Sequence, residues 1–268
     1  MRHTVNFCMA RRLLAALCLV LVAAGASAQF SGSGSGTADD PYRIFNAAQL
    51  NQVRNFLNDT SVVFSLEADI DMTDWIADNN PVQGWSPIGN ISSTFNGTFN
   101  GNGHTISNLW IKRPDTDYIG LFGHMGASSE VHNLSLTNSR CEGRNYVGGI
   151  IGCLDSTLGY TWVSSEITVS NCNFLHGNIV GNDYLGGIIG YAVAQIYDNK
   201  LRNTSISITI GSCAFECQII GNNYIGGIIG KVYSFISNNT DQSPSDSGNY
   251  SGTTSVIIDK CTSNLCII

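Results

Sequence analysis

The chain has 268 residues, with 13 basic and 20 acidic side chains and a formal charge of −7 at pH 7. An acidic surface repels phosphate backbones, so the composition argues against nucleic acid as a partner. The length is sufficient for a single elongated domain.

The first 28 residues have the pattern of a secretory signal peptide. Three arginines come first, and residues 13–24 then form an uninterrupted apolar run. Such a run is too short to cross a bilayer, which takes about 20 residues. The small residues Ala26, Ser27 and Ala28 predict cleavage after Ala28 and secretion to the medium or the cell surface.

Two further points concern the mature chain. Cleavage after Ala28 leaves 10 basic and 20 acidic residues, a formal charge of −10. An alternative is a lipoprotein anchored through Cys18, although Leu17 stands where a small residue is expected. No later segment reaches transmembrane length, so we expect no membrane-spanning segment in the mature chain.

Nine cysteines are present, and seven remain after cleavage. An odd number leaves at least one outside any internal disulfide. Cys172, Cys213 and Cys261 occupy related places in successive segments, which favours a column of small apolar core residues over a designed disulfide set. Cys213 and Cys217 have no histidine at the spacing of a zinc site, so we expect no metal there.

Two segments precede the repeats. Residues 29–36 are rich in glycine and serine and predict a flexible linker. Residues 37–94 predict an N-terminal capping unit with a short helix that Asn46 and Gln49 open as a capping box. Residues 62–66 then predict a strand, and no helical period is visible after residue 60.

The body, residues 95–268, repeats one phrase four times. Its copies are Asp-Tyr-Ile-Gly-Leu-Phe-Gly once and then Tyr-x-Gly-Gly-Ile-Ile-Gly three times, at residues 117–123, 145–152, 183–190 and 223–230. Short segments of alternating polar and apolar residues precede each phrase and predict half-buried strands. Self-similarity of this kind predicts a solenoid.

The spacing of the copies shows where the repeats differ. The phrase tyrosines are 28, 38 and 40 residues apart, whereas each alternating strand leads to its tyrosine after a nearly constant 11 or 12 residues. All the variation therefore follows the last glycine of the phrase. Equivalent corners align in stacked coils, so we expect the insertions to collect along one edge.

These residues resemble the GLUG motif family of bacterial secreted and surface proteins. The resemblance rests on the four phrases, on Phe99–Leu109 and on the entry segment Gly36–Ile44. It implies an all-β fold, a right-handed parallel β-helix, as found in adhesins and in accessory regions of surface enzymes. The family motif is structural and supplies no catalytic residue.

In such a coil the inward residues stack on their own kind. We expect two ladders, one of Ile150, Ile188 and Ile228 and one of Cys141, Ile179 and Ile219. The paired glycines supply either backbone freedom or room for the neighbouring coil. The column of phrase tyrosines has two interpretations, an exposed track for sugar rings or stacking that sets the register; we favour the second.

Few side chains of the sequence are candidates for metal binding or catalysis. Asp69 and Asp71 could hold calcium, although a turn is the simpler interpretation. The histidines of the body show neither metal spacing nor an adjacent nucleophile. We therefore predict no catalytic residue, no metal and no cofactor.

These observations predict a secreted or surface-displayed binding and adhesion module that recognises glycan or a host surface protein through its corner loops. The candidate contact residues are Tyr160, Trp162, Tyr197 and Tyr233. A β-helical polysaccharide lyase or hydrolase and a passive stalk are the alternatives. The sequence stops partway through a repeat at Ile268, which favours a fragment of a longer protein over an end that a partner or the chain itself covers.

Overall fold

The computed structural model describes residues 30–158, 164–196, 204–236 and 252–267. The chain divides into one unit of residues Met1–Ser31 and a second of Gly32–Ile268. The predicted signal peptide lies outside the described residues. The fold described below is that of the second unit.

Within the described residues, 22 short strands form four parallel sheets. Sheet 1 contains β1 (Tyr42–Ile44), β2 (Val63–Leu66), β4 (Thr98–Asn100), β8 (Glu130–His132), β13 (Ser165–Ser170), β17 (Thr204–Gly211) and β21 (Gly252–Asp259). Sheet 2 contains β3 (Ile70–Asp71), β5 (Thr105–Ser107), β9 (Ser135–Thr137), β14 (Asn173–Val180), β18 (Ala214–Ile220) and β22 (Thr262–Ile267), with β6 (Trp110–Lys112) and β10 (Arg140–Glu142) joined through β14. Sheet 3 contains β11 (Asn145–Gly148), β15 (Asp183–Gly186) and β19 (Asn223–Gly226). Sheet 4 contains β7 (Phe122–Met125), β12 (Ile151–Leu158), β16 (Ile189–Ile196) and β20 (Ile229–Ile236).

The strands follow one another around a coil rather than along a sheet. From β8 onwards, the chain visits sheets 1, 2, 3 and 4 in turn and then returns to sheet 1 one level further along. Every strand pair is parallel, as in β13 with β17 and β14 with β18. The predicted all-β parallel β-helix with a helix-containing N-terminal unit is confirmed.

The first helix, α1 (Ala47–Gln52), begins where the sequence predicts. The Asn46 side chain accepts a hydrogen bond from the Gln49 backbone N–H at 3.0 Å, and the Gln49 side chain accepts one from the Phe45 N–H at 2.8 Å. A 3₁₀ turn follows at Val53–Phe56. Leu50 and Val53 are fully buried, so the helix covers the start of the stack.

A second helix, α2 (Thr73–Asn79), corrects the expectation that no helix follows residue 60. Its seven residues bury Ile76 alone among their side chains, so it carries no repeating apolar pattern for the sequence to show. The Asp71 carboxylate fixes its start by accepting hydrogen bonds from the Thr73 N–H at 2.9 Å and hydroxyl at 2.6 Å.

The segment predicted as a flexible linker is partly bonded to the folded unit. The N–H groups of Ser35 and Gly36 donate to the Asp40 carbonyl, and the Ser33 carbonyl accepts from Arg43. The Gly36 carbonyl accepts from Val63 at the start of β2. The folded unit therefore includes residues that composition assigns to the linker.

Columns of like side chains fill the interior. The pairing of β10, β14 and β18 aligns Cys141, Ile179 and Ile219 at equivalent positions of neighbouring strands, as expected. Consecutive backbone hydrogen bonds link Ile150 to Ile188 and Ile188 to Ile228, which confirms the second ladder. Burying each aliphatic side chain stabilises the fold by about 1.5–3 kcal/mol.

One irregularity in sheet 2 explains why one alternating strand is 11 rather than 12 residues from its tyrosine. The register between β14 and β18 shifts between Leu175 and Gly177, so the β18 coil is one residue shorter here, whereas the coil before β14 has Asn138 in the place of His176. His176 has a φ of 57°, and the next coil lacks an equivalent residue. This deletion shortens the distance from strand to tyrosine in that coil from 12 residues to 11.

The paired glycines of the phrase provide room rather than backbone freedom. No glycine of the four phrases has a positive φ; the phrase tyrosines do, at 64°, 57°, 62° and 54°. A Cβ at Gly149 would lie 2.3 Å from the Phe174 ring and 2.6 Å from the Gly187 carbonyl oxygen of the next coil. Of the two roles considered for these glycines, close approach is therefore the one that the structure supports.

The insertions collect at one corner. The segments 159–163, 197–203 and 237–251 each connect a strand of sheet 4 to a strand of sheet 1. Part of the added length extends the strands themselves, since β7 has four residues whereas β12, β16 and β20 have eight.

Candidate binding site

A groove lies between α2 and the outer surface of sheet 2. Its volume is about 490 Å³, and it is lined by Thr73, Ala77, Pro81, Asn108, Trp110, Asn138 and Arg140. We call it the Trp110 groove. A smaller depression of about 180 Å³ continues from it and shares Trp110 and Arg140 with it.

Stacking of the coils builds the floor of the groove. The parallel pairing of β6 and β10 sets Arg140 directly beside Trp110 on the outward side of the sheet. The Trp110 side chain is half-buried, while that of Arg140 is exposed. The Arg140 guanidinium donates a hydrogen bond to the Glu142 carboxylate at 3.0 Å, which restrains it along the strand.

Two asparagines bring amide groups to the same place. Asn108 and Asn138 turn the corner between successive strands of sheet 2, with φ values of 58° and 49°. Asparagine tolerates this left-handed conformation better than most residues. The Asn108 side chain donates a hydrogen bond to Asp71 at 3.0 Å, which ties the start of α2 to the groove.

The groove therefore combines an aromatic face, two amides and a guanidinium. Arg140 is the one ionisable group among the residues that line it, and no carboxylate is among them. This set can hold a ligand by stacking and hydrogen bonding.

One of the four residues predicted to contact a ligand lies in the described part of the chain. Tyr160, Trp162 and Tyr197 fall outside the described residues. Tyr233 lies on β20, 39% exposed, with its ring centroid 6.2 Å from that of Phe235, which is 44% exposed. The structure thus places one of the four candidates in an exposed aromatic pair.

The phrase tyrosines form a continuous stack. Ring centroids of Tyr118, Tyr146, Tyr184 and Tyr224 are 4.9, 4.8 and 4.9 Å apart, with interplanar angles of 8° or less. The Lys231 ammonium lies 4.4 Å from the centroid of the Tyr224 ring. The rings face one another, so the column fits the interpretation in which stacking sets the register.

A row of side chains beside this stack is unusually buried for an outer surface. Strand pairing aligns His124, Cys153, Tyr191 and Lys231. Burial lowers the pKa of His124, and its Nδ1 has no hydrogen-bond partner. Burial, together with nearby Cys153, raises the pKa of Tyr191 to about 12, so Tyr191 stays uncharged at neutral pH.

The acidic pair considered for calcium takes part in turns instead. Asp69 accepts a hydrogen bond from the Thr105 N–H at 2.8 Å and lies 3.2 Å from the His104 ring, and Asp71 accepts one from the Thr73 N–H at the start of α2. The hydrogen bond from Thr105, followed by that from His104, lowers the pKa of Asp69. Within the described ranges, no cluster of three or more metal-ligating side chains is present.

Sequence reasoning missed the Trp110 groove. Trp110 and Arg140 both stand two residues after a corner asparagine. An alignment of the repeats at Asn108 and Asn138 would therefore have placed Trp110 and Arg140 at equivalent positions of neighbouring coils. The helix that forms the opposite wall left no such signal.

Comparison with known proteins finds relatives over part of the chain. A Gly-rich membrane protein of Evansella cellulosilytica, so named provisionally, is 46% identical over 102 residues, which are 38% of this chain and 12% of that protein. Halomucin of Haloquadratum walsbyi is 34% identical over 140 residues, which are 51% of this chain and 2% of that protein. The chain therefore spans only a small part of the length of these relatives.

No family model matches the chain. Among solved structures, a chain from Bacteroides ovatus that is provisionally named an immunoglobulin A1 protease aligns with a TM-score of 0.43 and 18% identity. The alignment covers 84% of this chain and 86% of that one. The activity in its name belongs to that protein alone. In the part of this chain that the structure describes, no helix has the length and apolar character needed to cross a membrane.

Proposed function

We propose that this chain is a β-helical binding module, secreted or displayed at the cell surface, that recognises glycan through the Trp110 groove. The observation that carries the proposal is the alignment of Trp110 with Arg140 between the two corner asparagines. An aromatic face offers a sugar ring a flat apolar partner, and amide and guanidinium groups supply hydrogen bonds to hydroxyls.

The setting of the site supports a role outside the cell. The N-terminal 28 residues have the pattern of a secretory signal, and one relative has a name that places it at a membrane. Membership of the GLUG motif family is part of this proposal and rests on the four phrases. Adhesion to a glycan-coated surface is the activity that such a module would serve.

The experiment is a glycan-array screen of the purified full chain, followed by titration of the best ligand. Trp110→Ala should weaken binding by about 30-fold or more, since loss of a central aromatic contact costs 2 kcal/mol or more. Trp110→Phe keeps an aromatic face and should retain part of the affinity. Gln218→Ala is the matched control, because Gln218 lies in the same outward row, two coils from Arg140.

The outcome decides between the groove and the corner loops. Equal binding by the chain and by a Trp110→Ala variant with an unchanged melting temperature would refute the groove. Binding that is lost instead on alanine substitution of Tyr160, Trp162, Tyr197 and Tyr233 would assign recognition to the corner. The exposed pair of Tyr233 and Phe235 makes this corner the second candidate surface, with a host surface protein as its ligand.

The enzymatic alternative has a direct readout. A lyase or hydrolase of this fold needs charged groups that converge in one groove, whereas the groove beside α2 has Arg140 as its one ionisable lining residue. Incubation with uronic-acid polymers and calcium should leave the polymer length unchanged. Depolymerisation that survives the Trp110→Ala substitution would place a catalytic centre elsewhere.

A further inference from the structure

Three cysteines occupy one position on three consecutive coils, at the corner between sheets 1 and 2. Cys172, Cys213 and Cys261 each donate the thiol hydrogen to the carbonyl two residues earlier, at 3.3, 3.4 and 3.4 Å. Each sulfur also lies 3.6–3.8 Å from a carbonyl oxygen of the preceding coil. Equal contacts mean equal side-chain orientations, so the three sulfurs form a ladder along the stack.

The backbone holds these positions side by side. The Ala214 N–H donates to the Cys172 carbonyl at 3.1 Å, and the Thr262 N–H donates to the Cys213 carbonyl at 2.9 Å. Neighbouring strands lie about 4.8 Å apart. That separation falls within the Cα–Cα range of about 4.4–6.8 Å that disulfides span.

The three cysteines differ in how deeply they are buried. Cys172 and Cys213 are buried, whereas Cys261 is half-buried. The neighbouring Cys172 side chain, more than that of Cys261, lowers the pKa of Cys213, whereas burial raises the pKa of Cys261. The thiolate is the form that attacks a disulfide.

We propose that Cys213 and Cys261 form an inter-coil disulfide when the protein meets a small-molecule disulfide such as oxidised glutathione. The Cys261 thiolate attacks one glutathione sulfur, which yields a mixed disulfide and releases one glutathione thiol. The Cys213 thiolate then attacks the Cys261 sulfur and releases the second glutathione. Two protein thiols are oxidised and one oxidised glutathione is reduced to two thiols.

The cross-link would fasten the level of β21 and β22 to the coil before it. At that level, Ile257 and Ile258 of β21 are 48% and 51% exposed. An extracellular setting supplies the oxidising conditions in which such a bond persists. Cys172 remains a buried thiol, because Cys213, its neighbour in the ladder, is already paired.

The test is peptide mapping of the full chain by mass spectrometry under non-reducing conditions. The protein is incubated with oxidised glutathione, and free thiols are then blocked with iodoacetamide. We expect a Cys213–Cys261 linked peptide, a rise of several degrees in the melting temperature, and reversal of both changes by dithiothreitol. Cys217→Ala is the control and should leave the linked peptide in place.

Two other results would overturn the proposal. One is a Cys172–Cys213 peptide in place of the expected one. The other is a protein that carries glutathione on Cys261 but forms no internal bond. Cys261→Ala should abolish the stabilisation by oxidised glutathione, and a melting temperature in reductant equal to that of the unsubstituted chain would show that this variant folds.

Discussion

At the scale of single residues, the phrase tyrosines show a balance between strain and stacking. Each has a φ between 54° and 64°, a conformation that costs about 1–2 kcal/mol for a residue with a Cβ. Tyr146 recovers this cost by stacking on Tyr118 and Tyr184, since aromatic pairs contribute about 0.5–1.5 kcal/mol each beyond the area they bury. Glycine would adopt this positive φ more readily, but it has no aromatic ring to stack on the neighbouring tyrosines.

This balance predicts an inverted order of stability for two substitutions. Tyr146→Gly loses the stacking but relieves the backbone, whereas Tyr146→Ala loses the stacking and keeps the strain. We therefore expect urea unfolding to show the glycine variant about 1 kcal/mol more stable than the alanine variant. An alanine variant as stable as the glycine variant, or more stable, would contradict the positive φ at this position.

At the scale of the coil, glycine sets how closely neighbouring levels pack. A Cβ at Gly149 would overlap the Phe174 ring and the backbone of the next coil, whereas a Cβ at Gly211 would have Asp259 O, 4.0 Å away, as its nearest neighbour. Neither glycine has a positive φ. The two positions thus differ in the space around them rather than in backbone conformation.

Gly149→Ala should consequently lower the free energy of unfolding by about 1–3 kcal/mol, the usual cost of overpacking. Gly211→Ala is the matched control and should be neutral or stabilise the protein by up to about 1 kcal/mol, because alanine restricts the unfolded chain. Chemical denaturation of both variants measures the difference. Equal effects would mean that close packing is not what selects glycine in the phrase.

The same scale shows what the sequence could and could not predict. The four phrases predicted the coil, its inward ladders and the corner of the insertions, because each repeats in register. The helix α2 is a single short insertion before the repeats, with Ile76 as its one buried side chain, and it left no pattern. Since this helix forms one wall of the Trp110 groove, the site could not be found by sequence reasoning alone.

At the scale of the whole molecule, the stacking of coils in register aligns the side chains of each site discussed above. Because each coil lies on the next in register, Trp110 meets Arg140, the three corner cysteines align, and the phrase tyrosines stack. A shift of one residue in one strand would turn its inward side chains to the outside. The binding groove and the fold therefore both depend on the register between neighbouring coils.

Nuclear Overhauser contacts between tyrosine rings test this alignment most directly. In protein labelled at tyrosine, with each phrase tyrosine assigned by substitution to phenylalanine, ring protons of Tyr146 should contact those of both Tyr118 and Tyr184. Tyr184 should contact Tyr224 in the same way, since these centroids lie 4.9 Å apart. The absence of these contacts in folded protein, or contacts that skip a level, would contradict the stacked coil.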